Sequence, residues 1–121
     1  MDVMLRFRFW KDEFSELIEQ AGLQVFRPSG KGSAPKSQFN ILVAEEGDFY
    51  DQLACTETFL RLHRDLIIHL RQEQPDKDAY PQLDIVVSLK PGKPFTNHLF
   101  STRILSLLAE MDIMLNISVY S

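Results

Sequence analysis

A short stretch at positions 30–33, GKGS, has the residue types of a phosphate-binding loop. A Walker-type loop reads G-x-x-x-x-G-K-[ST], and its backbone N–H groups hold phosphate where the loop runs into a helix N-terminus. Here the position five before the first glycine is Val25, and the lysine is followed by glycine. The stretch also leads into a predicted strand. We therefore interpret residues 27–38 as a flexible connecting loop. The alternative is a basic arm that touches phosphate or an acidic partner.

His63 and Cys55 are the single residues best suited to chemistry. On a helical wheel His63 lies near the centre of the apolar stripe of the longest predicted helix, so it is either a hydrogen-bonded core residue or a site residue, and we favour the core. Cys55 is the only cysteine, which excludes a disulfide or a multi-thiolate zinc site within one chain. A nucleophile pair of Cys55 with a distant histidine has no local support. We predict no catalytic, cofactor-binding or metal-binding residue.

Four carboxylates, Glu45, Glu46, Asp48 and Asp51, lie within seven positions at the start of the same helix. One interpretation is that they complement the helix dipole, because negative charge is stabilising at a helix N-terminus. The other is that they form an acidic contact patch for a basic protein partner. We choose these four residues as the predicted partner-binding surface.

The composition indicates one globular domain, residues 1–121, with 45% apolar residues and a net charge of −4. No apolar run approaches the ~18 residues that span a bilayer, and the N-terminal residues alternate apolar and charged side chains, unlike a signal peptide. We expect a cytoplasmic protein that does not bind a membrane. Nonspecific nucleic-acid binding needs a basic surface, so the acidic balance disfavours it.

The elements that must position these residues follow the order β-α-β-β-α-β-α-β. Period-two alternation predicts strands, and apolar residues at helical spacing predict helices. The predicted boundaries are strands at 3–9, 23–26, 39–43, 83–89 and 115–119, and helices at 12–21, 48–72 and 101–111.

Several predicted strands carry polar residues at alternate positions, which is typical of a sheet with one solvated face. The pattern favours an α+β fold with helices on one face of a mostly antiparallel sheet. The first six elements match the ferredoxin-like β-α-β-β-α-β order, and the last helix and strand extend it. RNA-binding sheets need aromatic residues on the open face, whereas Phe7, Phe9 and Phe39 are predicted to face the core. The predicted open face carries Arg6, Arg8, Trp10, Asn40, Asp84, Ser88, Asn116 and Ser118.

Three segments of the chain have a distinctive pattern in this order. The first is the strand and helix in LRFRFWKDEFSELIEQAGLQ, and the second is the Lys-Gly-containing loop before the next strand. The third is FSTRILSLLAEMDIMLNISVYS, in which a Ser-capped, Leu-rich helix turns directly into a final strand. With these segments the chain resembles a small bacterial family of unknown function whose members are described among the immunity-type proteins of polymorphic-toxin systems. The segments are packing patterns, so the resemblance implies no functional residues.

The resemblance implies a non-enzymatic protein-binding domain, an immunity protein that neutralises a cognate toxin. The acidic cluster and the lack of catalytic spacing agree with a binding role. The alternative is a ferredoxin-like domain that senses a small molecule or regulates as a homodimer, since fold alone does not define function. A third hypothesis is an enzyme that uses His63 with a carboxylate.

Overall fold

A computed structural model describes residues 2–27, 37–88 and 99–120. Within these ranges the chain forms five strands and four helices. The strands are β1 (Val3–Phe7), β2 (Val25–Phe26), β3 (Phe39–Ala44), β4 (Gln82–Ser88) and β5 (Met114–Tyr120), and the helices are α1 (Glu13–Gln20), α2 (Phe49–Leu62), α3 (Arg64–Gln72) and α4 (Thr102–Glu110).

The strands form one sheet in the order β2-β3-β1-β4-β5. Three of the four neighbouring pairs are antiparallel, and β5 runs parallel to β4 at one edge. The predicted α+β class with a mostly antiparallel sheet is therefore confirmed. The parallel pair follows from the connection, because α4 carries the chain back across the sheet between β4 and β5.

The hydrophobic core lies between one face of the sheet and the helices. Alternate residues of β1, β3 and β4 are buried and share one cluster with apolar residues from all four helices. The apolar positions of the period-two pattern in these strands are thus the buried ones, as predicted. The largest side chains with less than 2% exposure are Phe7, Phe14, Phe39, Leu5, Ile18, Ile41, Leu60, Ile67, Leu70, Leu83, Ile85 and Ile104.

The predicted helix at 48–72 is wrong as one element, because it is interrupted at His63. Its backbone angles, φ −107° and ψ 21°, leave the helical region, so α2 ends before His63 and α3 begins after it. The His63 N–H still donates to the Phe59 carbonyl, as within a helix. The half-buried imidazole therefore lies beside the Phe59 ring one turn earlier, with ring centroids 4.8 Å apart.

Trp10 lies with the core aromatics and not on the open face of the sheet, so that part of the prediction is wrong. Strand β1 ends at Phe7, and the alternation therefore no longer governs Arg8 and Trp10. The indole makes edge contacts with Phe14 and Phe39, at centroid distances of 6.0 and 5.1 Å. These contacts close the core at the end of the sheet where the chain enters α1.

The predicted flexible loop at 27–38 falls mostly on residues 28–36, which lie outside the described part of the chain. Arg27 and Ser37, the described residues on either side of 28–36, both contact the segment that follows β1. The Arg27 guanidinium carbon lies 4.4 Å from the centroid of the Trp10 ring, and the Ser37 hydroxyl donates to the Arg8 carbonyl at 3.0 Å. No helix in the described residues has the length and apolar character needed to cross a membrane.

Candidate functional site

An open groove of about 500 Å³ runs beside α2, on the β2 side of the sheet; we call it the α2 groove. One wall is the turn after α1, and the other is the end of β3 with the following turn. Its floor comes from α2. The lining residues are Gly22, Leu23, Gln24, Leu42, Val43, Ala44, Glu45, Glu46, Cys55 and Phe59.

The first wall is fixed by the way α1 ends. Gly22 has φ +72°, a conformation that glycine adopts without strain, and its N–H donates to the Glu19 carbonyl. The Leu23 N–H donates to the Ile18 carbonyl, which completes a Schellman motif. The predicted helix stop at Gly22 is confirmed, and its consequence is that Leu23 lies at the groove.

The second wall is a stretch of β3 that has no strand beside it in the described residues. β2 has only two residues and pairs with Asn40 and Ile41. One further bond, from the Leu42 N–H to the Gln24 carbonyl, ends the contact between the two segments. Beyond Leu42 only the last two residues of β3, Val43 and Ala44, lack a strand on their outer side, and the Val43 carbonyl accepts from the Cys55 thiol. A short strand end of this kind offers a few backbone groups to an extended peptide.

The four predicted partner-binding carboxylates divide into two pairs. The Asp51 backbone N–H donates to Asp48 Oδ1 at 2.8 Å, and the Asp48 N–H donates to Asp51 Oδ2 at 3.1 Å. This reciprocal capping box gives Asp48 and Asp51 a structural role at the start of α2. Glu45 and Glu46 are exposed at the rim of the α2 groove and form no ion pair with a described residue.

A second hollow of about 450 Å³ continues the groove toward the end of α2. It shares Val43, Cys55 and Phe59 with the first hollow and adds Leu62 and His63. The Leu62 side chain is 73% exposed there. The combined surface thus has two carboxylates at one end, an apolar middle and an imidazole at the other end, and among the described residues that line it none is Lys or Arg.

Cys55 and His63 share this surface, but they do not form a nucleophile and base pair. They are eight positions apart, which separates them by about 12 Å along a helix axis. The Cys55 thiol donates to the Val43 carbonyl at 3.7 Å, and burial lowers the pKa of the His63 imidazole. His63 is therefore at the groove and not at the centre of the core, contrary to the interpretation we favoured from the sequence.

The open face of the sheet carries a polar network centred on Asp84. The carboxylate pairs with Arg6 at 2.8 Å and accepts hydrogen bonds from Gln82 at 2.6 Å and from Asn116 at 3.0 Å. Three strands are thereby joined on one face. The predicted positions of Arg6, Asn40, Asp84 and Asn116 on this face are consistent with the strand registers. Since its members bond to one another, the network is a structural feature of the sheet.

The sequence analysis missed the apolar part of the α2 groove. Leu23, Val43 and Phe59 come from three separate elements, and no local pattern indicates that they meet. The one signal was the short predicted strand at 23–26, because a short edge strand leaves part of its neighbour without a partner. Within the described residues, no group of three or more His, Cys, Asp or Glu side chains is arranged to hold a metal ion.

No family model, curated protein or solved structure matches this chain. The interpretation of the groove therefore rests on its geometry.

Proposed function

We propose that this chain is a non-enzymatic binding domain whose α2 groove receives an extended, basic segment of a partner protein. The observation that carries the proposal is the coincidence of three features in one groove. The rim is acidic at Glu45 and Glu46, the middle is apolar, and one wall includes the two-residue end of β3 that has no neighbouring strand. A basic, extended peptide satisfies all three, since it supplies backbone hydrogen bonds, apolar side chains and the opposite charge.

The partner, in this proposal, is a toxin, and the chain is its immunity protein, acting in the cytoplasm. The sequence resemblance supports this choice of partner. An acidic surface on the inhibitor suits a basic toxin, because opposite charges accelerate association. The exposed free thiol of Cys55 agrees with a reducing compartment.

We further propose that β1 to β4 form a ferredoxin-like unit to which α4 and β5 are added. The support is the strand order β2-β3-β1-β4, in which each strand is antiparallel to its neighbour. In this order β3 lies between β1 and β2, and β1 lies between β3 and β4. Two interleaved β-α-β units of this kind define the split arrangement.

Cys55 provides the test, because it is the only cysteine and lies in the floor of the groove. The chain is co-expressed with the product of the neighbouring gene, the complex is purified, and the rate of Cys55 alkylation is compared in the free and bound forms. A segment that covers the groove should slow alkylation by at least about tenfold, as expected for burial of a reactive group.

Two results would contradict the proposal in different ways. If the neighbouring gene product does not bind, the immunity function is wrong. If it binds but Cys55 is alkylated at the same rate in both forms, the partner uses another surface. Denatured chain serves as the control for the intrinsic reactivity of the thiol.

A further inference from the structure

Strand β5 has a neighbouring strand on one side only, so within the described residues its outer edge is unpaired. It has seven residues, MLNISVY, without a charge or a proline, and its register with β4 is continuous from Met114 to Tyr120. Natural proteins protect sheet edges with short strands, charges, prolines or bulges. The opposite edge, β2, is short, whereas β5 has none of these protections.

The core-side surface of β5 extends beyond the helical layer. Leu115, Ile117 and Val119 stand opposite the buried Leu83, Ile85 and Val87 of β4, so they lie on the same side of the sheet. Ile117 and Val119 nevertheless remain 42% and 58% exposed. An apolar strip that continues the core to a free edge indicates a surface that another chain covers.

Helix α4 adds a further apolar side chain next to this edge. Arg103 faces α2, because its Nε donates to Glu57 at 2.9 Å. Leu105 is two residues further along, about 200° around the helix, and so lies on the flank away from α2. It is 45% exposed. The helix that covers β5 therefore leaves an apolar flank beyond the strand.

The backbone groups at this edge have a defined alternation. The Met114 N–H donates to the Pro81 carbonyl at 2.8 Å, which directs the backbone of Met114 toward β4. Along a strand these directions alternate, so the N–H and C=O groups of Leu115, Ile117 and Val119 point outward. The outward backbone groups thus belong to the residues that also carry the apolar strip.

We infer that β5 pairs antiparallel with β5 of a second copy, with Ile117 on the two-fold axis. In this register Ile117 faces its own counterpart, Leu115 faces Val119, Asn116 faces Ser118, and Met114 faces Tyr120. The apolar pairs lie on the core side, and no charge opposes a like charge. The three outward residues of each chain supply about six backbone hydrogen bonds, and the two sheets become one.

The argument favours a second copy over a different protein because the edge is complementary to itself. Pairing about a two-fold axis brings the first half of the strand against the second half of its copy, so the two halves must suit each other. A charged or bulky side chain in one half would prevent this pairing. The α2 groove lies at the other edge of the sheet, beside β3, so the dimer leaves it accessible.

Sedimentation velocity over a wide range of concentration tests the dimer. The unmodified chain should show a concentration-dependent shift from monomer to dimer. Ile117→Lys places two like charges opposite each other and should raise the dimer Kd at least about a hundredfold. Leu62→Lys is the matched control, because it adds the same charge at an exposed leucine beside the other edge and should leave the Kd unchanged.

Disulfide trapping tests the register, in a Cys55→Ser background. Ile117→Cys should form a cross-linked dimer on mild oxidation, since directly opposed residues have Cα atoms about 5.5 Å apart. Val119→Cys should not, because the two symmetry-related sites are about 14 Å apart. A monomer at every concentration, or equal cross-linking of both variants, would overturn the inference. Circular dichroism shows that each variant is folded.

Discussion

The side-chain amide of Gln74 pairs with the backbone of Phe9, 65 positions away in the chain. The Phe9 N–H donates to Gln74 Oε1 at 3.0 Å, and Gln74 Nε2 donates to the Phe9 carbonyl at 3.0 Å. Gln74 Nε2 also donates to the Leu70 carbonyl. The side chain is 2% exposed. It thereby satisfies both polar groups of a backbone residue just beyond the end of β1, as a neighbouring strand would.

Gln74→Leu should lower the free energy of unfolding by about 2–4 kcal/mol, because it leaves the Phe9 N–H and C=O groups without partners. Urea unfolding measures the loss. Gln72→Leu is the control at an exposed position of α3 and should change the value by less than about 0.5 kcal/mol. A Gln74→Leu variant as stable as the unmodified chain would show that the amide pairing contributes nothing.

Acid should destabilise the protein through His63. Burial lowers the pKa of the folded-state imidazole, so below about pH 6.5 the unfolded chain binds a proton that the folded chain does not. The stability is present above that pH and is lost as the pH falls toward the folded-state pKa. His63→Phe keeps an aromatic ring beside Phe59 and cannot titrate.

The measurement for His63 is the difference in unfolding free energy between the two proteins at several pH values. The unmodified chain should lose stability relative to His63→Phe as the pH falls below about 6.5, the ordinary pKa of the unfolded imidazole. The other titrating groups cancel in the difference. A difference that is constant over this range would contradict the burial of His63.

Reversal of the rim charges should slow association with the partner. The Glu45→Lys and Glu46→Lys double variant should reduce the association rate about tenfold at low salt and flatten its salt dependence, with less effect on dissociation. Stopped-flow mixing with the co-purified partner measures both rates. The Asp65→Lys and Asp78→Lys double variant makes the same change in net charge at exposed positions outside the groove. Equal slowing by both variants would indicate net charge and not the groove rim.

Loss of the Asp84 carboxylate should weaken the sheet across three strands. Asp84→Ala leaves the half-exposed Arg6 guanidinium, the Gln82 amide and the Asn116 amide without their shared partner. We expect a loss of about 1–3 kcal/mol in thermal or urea unfolding. Asp84→Asn keeps an acceptor oxygen and should cost less. If Asp65→Ala, at a fully exposed carboxylate, has the same effect as Asp84→Ala, the network is not stabilising.

Strands β1, β3 and β4 could be predicted from the sequence because their apolar and polar residues alternate across a sheet with one buried face. Leu83, Ile85 and Val87 show this most clearly, and all three are buried. The N-cap role of Ser101 could also be predicted, and its hydroxyl accepts a hydrogen bond from the Ile104 N–H at 3.1 Å. In these cases the interactions that determine the structure lie within a few residues of the sequence pattern that predicts it.

The features that could not be predicted depend on contacts between distant residues. His63 sits in a segment without glycine or proline, so nothing local indicates that the helix is interrupted there. Gln74 follows a helix and precedes a proline, which makes it resemble an exposed end residue, although its partner is Phe9. The α2 groove likewise arises from the arrangement of α1, β3 and α2, and only its acidic rim was evident beforehand.

Trp10 gives the molecule a built-in optical probe. It is the only tryptophan, and its half-buried indole is enclosed by Phe14, Phe39 and the Arg27 guanidinium. Its emission should therefore lie at short wavelength in the native state and move to long wavelength when this corner of the core opens to water. Because Arg27 covers one face of the ring, Arg27→Ala should shift the native spectrum without unfolding the chain. One fluorophore thus reports both global unfolding and the attachment of the segment after β2.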